Sequence, residues 1–432
     1  MKSALLTLYV LIGALNISAQ ITLQNPNYRM SDGIQAPRPM TLQDLRNAEQ
    51  LRIQQQNAMV MQQMQGNSAQ NSQQHIQGIM EEIKEGERQN QPVNYEFPEF
   101  QQHSAQYFKQ TFAELQNMLE GKQDLSLKRA VFLAENAFLE NSLSYDWFCN
   151  DIATELDIFQ SFMKKEKLDI NSDMAKKYML QKFFSDTLTM RNDKGKYQFT
   201  HYPYKYDFED PFGKKDWRKM FVTKLLRDKK GQCHSMPLLY LIFAEELNVK
   251  AWLSYSPQHS YIKTQDNKGI WYNFETTNGH YSSDSWLLSS GYVKVEALRN
   301  QVFMDTLSQK SMITACFADL AKAYIEKFGY DKFVLSCVNK TLEHNPKNVF
   351  ALQLKANYYT YLFQYVAKQL NFPPKDKIYL YPKANNLLQK VYESYALIDQ
   401  PGFELMPENM YQAWLESFDK EKNKQPVNII KP

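Results

Sequence analysis

The first clear periodicity lies between residues 107 and 188, where apolar side chains recur at intervals of three and four positions. Phe108, Phe112, Leu115 and Leu119 form one such set, and this spacing places them on one face of a helix. The same pattern predicts further helices over 130–143, 151–164 and 174–188. We therefore predict a helical subdomain over residues 100–200.

The pattern changes within residues 201–300, where short apolar segments follow two predicted helices. These elements are helices over 215–227 and 234–247 and strands over 250–256, 259–265 and 270–276. Asp266–Gly269 has the composition of a hairpin turn between the last two strands. A helix followed by neighbouring antiparallel strands predicts the α+β fold class.

Residues 305–420 return to the helical period. The predicted helices span 312–328, 332–344, 349–370, 385–398 and 408–418. The segment 372–374 interrupts the pattern, because proline does not continue a helix. The α+β segment is therefore flanked by helical regions on both sides in the sequence.

Residues 1–19 have the features of an export signal. Met1 and Lys2 form a short basic start, the run from Ala4 to Leu15 is apolar, and small residues follow around Ala19. This run is shorter than the ~20 residues that a membrane-spanning helix needs. We expect cleavage near Ala19 and a secreted or periplasmic protein with no membrane span; a buried N-terminal helix is the alternative.

Residues 20–95 form a low-complexity segment that is dominated by Gln, Asn, Met and Ser. Such a composition buries too little apolar surface to offset the entropy that is lost on ordering. We interpret this segment as a spacer with a solvated helix around 42–65. A helix that binds a partner is the alternative.

Charge and cysteine content narrow the classes of function. The formal net charge is +3, which gives no electrostatic basis for binding nucleic acid. An exported chain permits disulfides, and Cys316 and Cys337 are the pair that falls on neighbouring predicted helices. Buried free thiols are the alternative for these two and for Cys149. No cofactor is indicated.

Candidate chemistry centres on Cys233, which follows a short loop at the start of the apolar helix. A helix N-terminus favours a thiolate, and Lys229 and Lys230 place positive charge nearby. Gly231 permits a tight turn. The backbone amide of Cys233 is a candidate donor to an oxyanion. Cys233 is therefore a candidate nucleophile, and a buried packing cysteine is the alternative.

A nucleophilic thiol needs a base and a group that orients the base. His259 begins the second predicted strand and Glu275 ends the third. With the turn centred near Asn267, position 259 lies opposite position 275, and Cβ atoms of cross-strand partners are about 4.5–5.5 Å apart. We predict that His259 and Glu275 hydrogen-bond across the sheet.

Four more residues are candidates for the pocket around the thiol. Gln232 and Gln258 flank the nucleophile and the base, and each is either an oxyanion donor or a polar neighbour. His234 follows the nucleophile and Trp271 begins the third strand. Zinc ligation by Cys233 and the histidines is the competing interpretation, but no paired metal-ligand spacing supports it.

The ordered motifs Gly231-Gln-Cys233, Gln258-His259-Ser and Trp271-Tyr-Asn-Phe-Glu275 resemble the transglutaminase-like superfamily. The resemblance covers about 217–293, with Thr277 also fitting and Glu in place of the usual Asp. It implies a papain-related core, a helix packed on an antiparallel sheet, with Cys233, His259 and Glu275 as catalytic residues. It also implies an enzyme that acts on peptide or protein amide bonds through a Cys acyl-enzyme; an inactive binding protein is the alternative.

The C-terminal region carries a second resemblance. Phe328-Gly-Tyr330, Thr341-Leu342 and Asn345-Pro346 resemble the second half of a tetratricopeptide repeat, and 349–362 has the place of the next repeat's first helix. Surfaces of such repeats bind peptides or proteins. This resemblance implies a protein partner at the helical C-terminal region, with plain helical packing as the alternative.

Overall fold

The computed structural model describes residues 50–56, 69–192, 194–291 and 293–400, together with 402, 403, 406, 407, 409–411, 413, 414 and 417. The predicted export signal and the predicted spacer up to residue 49 lie outside the described residues. The chain combines many helices with small sheets that are mainly antiparallel, and it therefore has the predicted α+β class.

The helices are α1 (Ala69–Asn90), α2 (Ala105–Leu119), α3 (Leu127–Phe138), α4 (Tyr145–Lys165), α5 (Asp173–Ser185), α6 (Val222–Asp228), α7 (Ser235–Glu246), α8 (Asp284–Ser290), α9 (Val295–Arg299), α10 (Gln309–Lys327), α11 (Lys332–His344), α12 (Val349–Gln369) and α13 (Pro382–Asp399). The strands are β1 (Leu188–Arg191), β2 (Tyr197–His201), β3 (Lys205–Tyr206), β4 (Lys230–Gly231), β5 (Trp252–Ser256), β6 (His259–Gln265), β7 (Trp271–Glu275) and β8 (His280–Ser282). Short 3-10 helices span Trp217–Met220 and Lys375–Leu380.

One predicted helix, over 215–227, is wrong as a single element. The chain forms the 3-10 helix Trp217–Met220, passes through an extended Phe221 at φ −85° and ψ 139°, and then begins α6. Burial explains the break, because the Phe221 ring packs edge-on against Phe138. The carboxylate of Glu135 accepts the freed N–H of Val222 at 2.6 Å, which caps the new helix.

The chain forms two compact units. The first comprises the described residues up to Glu99, Tyr330–Lys332 and Lys355–Tyr395. The second comprises Phe100–Gly329, Phe333–Leu354 and the described residues from Ala396 onwards. All the candidate site residues belong to the second unit.

The first unit contains helix α1, most of α12 and the larger part of α13. The ring of Phe97 lies among Tyr330, Tyr358 and Tyr365, with ring centroids 5.5–6.2 Å away. Within the predicted spacer, residues 69–90 form helix α1, which is exposed along most of the length for which side chains are described. None of the described helices of the chain has the length and apolarity that crossing a bilayer requires.

In the second unit, α10 packs against α2 and α3. The apolar helix α7 is buried almost throughout, because it contacts α3 and α6 as well as strands β5 and β6. Cys316 on α10 and Cys337 on α11 are both buried free thiols, and Cys149 and Cys233 are free as well. The disulfide interpretation of Cys316 with Cys337 is therefore wrong.

A four-stranded antiparallel sheet in the order β5-β6-β7-β8 carries the candidate base and acid. Its first three strands lie where the sequence predicts them, and β8 is an additional strand. A separate pair, β3 with β4, is parallel and joins Tyr206 to Gly231. This short pair leads directly into Cys233 and so fixes the position of the thiol relative to the helix that follows.

Candidate active site

Cys233 lies between β4 and α7. The preceding Gly231 is held in extended backbone, since its carbonyl accepts the N–H of Asp207 at 2.8 Å. A Cβ at Gly231 would meet Ser235 Oγ at 2.7 Å and Leu225 Cδ1 at 2.9 Å. Glycine is therefore required here for close packing against Ser235 and Leu225 rather than for a tight turn.

Gln232 anchors the loop that carries the thiol. Its side-chain amide donates to the carbonyl oxygens of Asp207, at 2.8 Å, and Asp210, at 3.0 Å, and its side chain is fully buried. Both amide hydrogens are thus engaged, so Gln232 is a structural neighbour and the oxyanion interpretation is wrong for it. The carbonyl of Cys233 in turn accepts the hydroxyl of Ser260, which ties the nucleophile loop to strand β6.

His259 and Glu275 form a buried pair. Nε2 of His259 lies 2.6 Å from Oε2 of Glu275, and both side chains are almost completely shielded from solvent. Ser282 on β8 donates to the other carboxylate oxygen of Glu275 at 3.4 Å. The acid is therefore held from two sides, and it fixes the orientation of the imidazole ring.

The predicted register of this pair is wrong by two positions. Ile262 pairs with Phe274 and Gln265 with Trp271, so the continued register brings Tyr261 level with Glu275. The turn after β6 contains an additional residue, because the N–H of Asp266 bonds the carbonyl of Ile270. His259 is consequently a diagonal neighbour of Glu275 on the same face of the sheet.

The thiol of Cys233 faces the imidazole of His259. Burial opposes the charged form of His259, but the Glu275 carboxylate and the nearby Cys233 thiol together raise its pKa to about 10. Since Nε2 is engaged by Glu275, Nδ1 is the ring nitrogen available to a neighbouring group. The three predicted catalytic side chains are thus brought together, and the acid favours the protonated form of the imidazole.

Gln258 contributes its main chain to the site. It occupies the turn between β5 and β6 with a left-handed φ of 56°. Its carbonyl oxygen lies 3.8 Å from the sulfur of Cys233. The sequence predicted a role for the side-chain amide, whereas the contact with the sulfur is made by the backbone.

Two residues that the sequence did not single out cover the site. The hydroxyl of Tyr411 lies 3.2 Å from the sulfur of Cys233. The ring of Trp414 stands edge-on to the imidazole of His259, with centroids 4.8 Å apart. A helix was predicted over 408–418, and an aromatic pair spaced three residues apart on it was the available signal.

Tyr206 is a further neighbour from the aromatic stretch before the nucleophile. Burial raises its pKa, and the charge of Cys233 and the hydroxyl of Tyr411 also influence it. Burial likewise raises the pKa of Tyr411. The sulfur therefore lies 3.2 Å from one neutral phenol hydroxyl, that of Tyr411, and within electrostatic reach of a second, that of Tyr206.

His234 does not face the thiol. Its Nε2 lies 3.6 Å from Oδ2 of Asp319 on α10, and the two side chains line a cavity of about 20 Å³ with Glu135, Trp217 and others. Such a volume has room for one or two water molecules. His234 is therefore a pocket residue, but of a separate small cavity.

Trp271 is also remote from the thiol. It begins β7 whereas Glu275 ends that strand, so the two are roughly 13 Å apart along an extended backbone. The indole packs on Trp252, with centroids 5.1 Å apart, and is partly exposed. The prediction that Trp271 lines the thiol pocket is wrong, because Trp271 and Glu275 lie at opposite ends of the same strand.

Lys229 adds little positive potential at the sulfur. Lys229 has a left-handed φ of 55° and directs its ammonium to Glu155, at 2.5 Å. The principal positive neighbour of the thiol is therefore the imidazole of His259.

Among the described residues, no group of three or more His, Cys, Asp or Glu side chains is arranged to hold a metal ion.

Comparison of the chain with family models, with curated proteins and with solved structures found no match.

Proposed function

We propose that this protein is an exported thiol enzyme of the transglutaminase-like type, which acts on protein or peptide amide bonds through a Cys233 acyl-enzyme. The observation that carries this proposal is the buried His259–Glu275 pair, joined at 2.6 Å, with the sulfur of Cys233 against the imidazole. A thiol, a base and an orienting acid are the three groups that such chemistry needs.

The local architecture supports a papain-like core. Cys233 precedes the buried helix α7, and this helix contacts strands β5 and β6 of the antiparallel sheet. The order along the chain is thiol, imidazole and acid, as the resemblance implies. His259 lies on β6, one of the strands that α7 contacts. Packing of α7 on the sheet therefore brings Cys233, which precedes this helix, close to His259.

The first half of the proposed reaction forms a thioester. The sulfur attacks the carbonyl carbon of the substrate, and the carbonyl electron pair moves to oxygen as a C–S bond forms. Collapse of this intermediate breaks the C–N bond, and the proton held on His259 passes to the leaving amine. The Glu275 carboxylate raises the pKa of His259 and so favours a proton on the imidazole before the amine leaves.

The second half-reaction determines the product. Water or an amine loses a proton to His259 and attacks the thioester, and the sulfur leaves with its electron pair. Attack by water gives hydrolysis or, on a side-chain amide, deamidation, whereas attack by an amine gives transfer. The aromatic rings of Phe212 and Trp286, which lie near the site, favour exclusion of water.

A specific observation favours a second candidate, a binding protein that lacks catalysis. Cys233 is only 9% exposed, and the hydroxyl of Tyr411 occupies the space beside its sulfur. In this case the helical C-terminal region would bind a protein partner and the trio would serve stability. The two candidates differ in whether the thiol reacts as a couple with His259.

Alkylation of Cys233 by iodoacetamide across pH 5–9 tests the proposal, with each cysteine read separately by peptide mass spectrometry. We expect labelling of Cys233 that persists at pH values below ~8.5, the pKa of an ordinary thiol. In His259→Ala this labelling should be lost, or its pH dependence should shift. His103→Ala, at an exposed histidine, is the matched control. Cys149 provides an internal thiol in every sample.

Product analysis then distinguishes the reactions. Casein is incubated with the protein and a fluorescent primary amine, and three products are followed: new N-termini, released ammonia and incorporated amine. Cys233→Ala should abolish whichever product appears. Labelling of Cys233 that ignores His259→Ala, with no product of any kind, would support the binding protein instead.

A further inference from the structure

The C-terminal turn, by which we mean the described residues 409–411, 413 and 414, lies over the thiol site. Tyr411 and Trp414 are three positions apart, so they project from the same face of a helical turn. The hydroxyl of Tyr411 lies 3.2 Å from the sulfur of Cys233. The ring centroid of Trp414 lies 4.8 Å from that of His259. A single turn thus contacts both the nucleophile and the base.

Each ring of the turn lies in an aromatic slot of the second unit. Tyr411 packs on Phe212, with centroids 5.0 Å apart and planes inclined by 38°. Trp414 stacks on Trp286, with centroids 5.8 Å apart and planes inclined by 16°. Such arrangements favour planar aromatic groups over aliphatic ones of similar size. The slots therefore select the kind of side chain that fills them.

The turn closes the path to the nucleophile. Tyr411 is fully buried, and Cys233 and His259 beneath the two rings are 9% and 4% exposed. A substrate carbonyl must approach the sulfur to within about 3–3.5 Å before a bond forms. The phenol oxygen already stands at that distance, so substrate and turn cannot be present together.

We propose that the cleft above Cys233 is a binding site for a peptide segment with two aromatic side chains, and that the chain's own C-terminal turn fills it until a substrate of this class displaces it. This inference rests on the proposed function, because it assigns the cleft to the substrate of the same thiol. The phenol of Tyr411 then stands in for the reacting carbonyl group, and Trp414 stands in for a neighbouring aromatic residue.

The connection to the turn is exposed at its start and packed after it, so release of the turn must also free the ring of Phe403, whose centroid lies 6.0 Å from that of Phe303, and the buried Met406. Asp399 and Gln400, at the end of α13, are exposed. A segment tethered in this way competes at an effective concentration on the order of millimolar. A free peptide must therefore be tested against a chain whose turn has been weakened, since the tethered turn would otherwise exclude it.

The experiment measures alkylation of Cys233 by iodoacetamide at a fixed neutral pH in the full chain. The test variant is Tyr411→Ala with Trp414→Ala, and the matched control is Tyr379→Ala with Trp147→Ala, whose rings are 66% and 75% exposed. We expect Cys233 to be labelled at least about tenfold faster in the test variant, because the fraction of molecules with an accessible thiol should rise by about that factor. Labelling of Cys149 should be unchanged.

A synthetic peptide of residues 403–418 then tests the binding site. At millimolar concentration it should restore protection of Cys233 in the test variant, whereas the same peptide with Tyr411 and Trp414 replaced by alanine should not. Labelling of Cys233 that is equal in the test variant and the parent chain would overturn the proposal. Faster labelling that the aromatic peptide fails to suppress would overturn the assignment of the cleft as its binding site.

A second version avoids substitution of buried rings. A protease recognition sequence inserted after Gln400 allows the turn to be cut from folded protein and removed by gel filtration, with the same expected increase. Failure of the proposed function gives a different result from failure of this one. The open chain would then label rapidly, but with the pH profile of an ordinary thiol and with no response to His259→Ala.

Discussion

Nε2 of His259 lies 2.6 Å from Oε2 of Glu275 although the two residues are not level with each other across the sheet. Cβ atoms of diagonal neighbours are about 7–8 Å apart or slightly less, so a hydrogen bond between them needs long side chains. Glutamate has one methylene more than the aspartate that is usual in the motif this sequence resembles. Its length therefore compensates for the diagonal register and lets the carboxylate reach the ring.

This length is testable by Glu275→Asp, which keeps the charge and shortens the side chain by one methylene. We expect the hydrogen bond to His259 to be lost and alkylation of Cys233 at pH 6 to slow by about tenfold or more, equivalent to about 1.4 kcal/mol. Glu275→Gln keeps the length and removes the charge, so comparison of the two variants separates reach from charge. Asp284→Asn is a control on the neighbouring helix. Parental labelling in Glu275→Asp would show that the reach of the side chain is unimportant.

The pKa of His259 predicts a pH dependence of stability. Burial opposes its charge, but Glu275 and Cys233 raise the pKa to about 10 in the folded chain, against about 6.5 for an ordinary histidine. A raised pKa means that this stabilisation is complete below pH ~6.5 and is lost as the pH rises through ~10. Urea unfolding of the parent chain should therefore show a loss on the order of a few kcal/mol over this range.

The matched variant for this measurement is His259→Gln, which has no titrating ring. The free energy of unfolding of the parent, minus that of the variant, should fall steadily between pH 6.5 and 10. Tyrosines and lysines that titrate near pH 10 are common to both chains and largely cancel in the difference. A difference that stays constant with pH would contradict the pairing of a protonated His259 with Glu275.

Local periodicity was sufficient to predict most elements of this chain. The hairpin of β6 and β7 and helix α11 follow the predicted bounds closely, because alternation and the helical period act over neighbouring residues. The break at Phe221 was not predictable in this way. It depends on Phe138 and Glu135, which lie far from it in the sequence.

The candidate site was predictable in its chemistry and less so in its surroundings. Cys233, His259 and Glu275 are separated in sequence, but two of them lie on strands whose order is fixed by one hairpin. Tyr411 meets Cys233 across 178 positions, and no local pattern reports such a contact. Trp271 shows the opposite error, since a motif that is compact in sequence extends along a strand.

Gly231 provides a test of how tightly the nucleophile loop is packed. In Gly231→Ala the added Cβ would meet Leu225 Cδ1 at 2.9 Å and Ser235 Oγ at 2.7 Å. We expect a loss of about 1–3 kcal/mol in the free energy of unfolding, as for other overpacked sites, together with altered alkylation of Cys233. Gly78→Ala is the control, because a Cβ there has nothing within 4 Å. A stability equal to that of the parent would show that the loop can shift at no cost.

Glu135 provides a second titration that is separate from the thiol site. Its buried carboxyl accepts N–H bonds from Val222 at 2.6 Å and Thr223 at 2.9 Å. Burial raises its pKa to about 7, against the opposing effect of those bonds. Because the folded pKa is the higher one, its contribution to stability is complete below pH ~4.5 and is lost as the pH rises through ~7.

Glu135→Gln removes the titrating proton, but its amide nitrogen cannot accept one of the two N–H bonds, which lowers stability by a similar amount at every pH. We therefore expect the free energy of unfolding of the variant, minus that of the parent chain, to rise by about 3 kcal/mol between pH 4.5 and 8. Glu245→Gln, a less buried carboxylate that also accepts backbone N–H bonds, controls for the general effect of removing a charge. If the two chains keep the same difference from pH 4.5 to 8, Glu135 does not titrate in this range, and its two N–H bonds outweigh the cost of its burial.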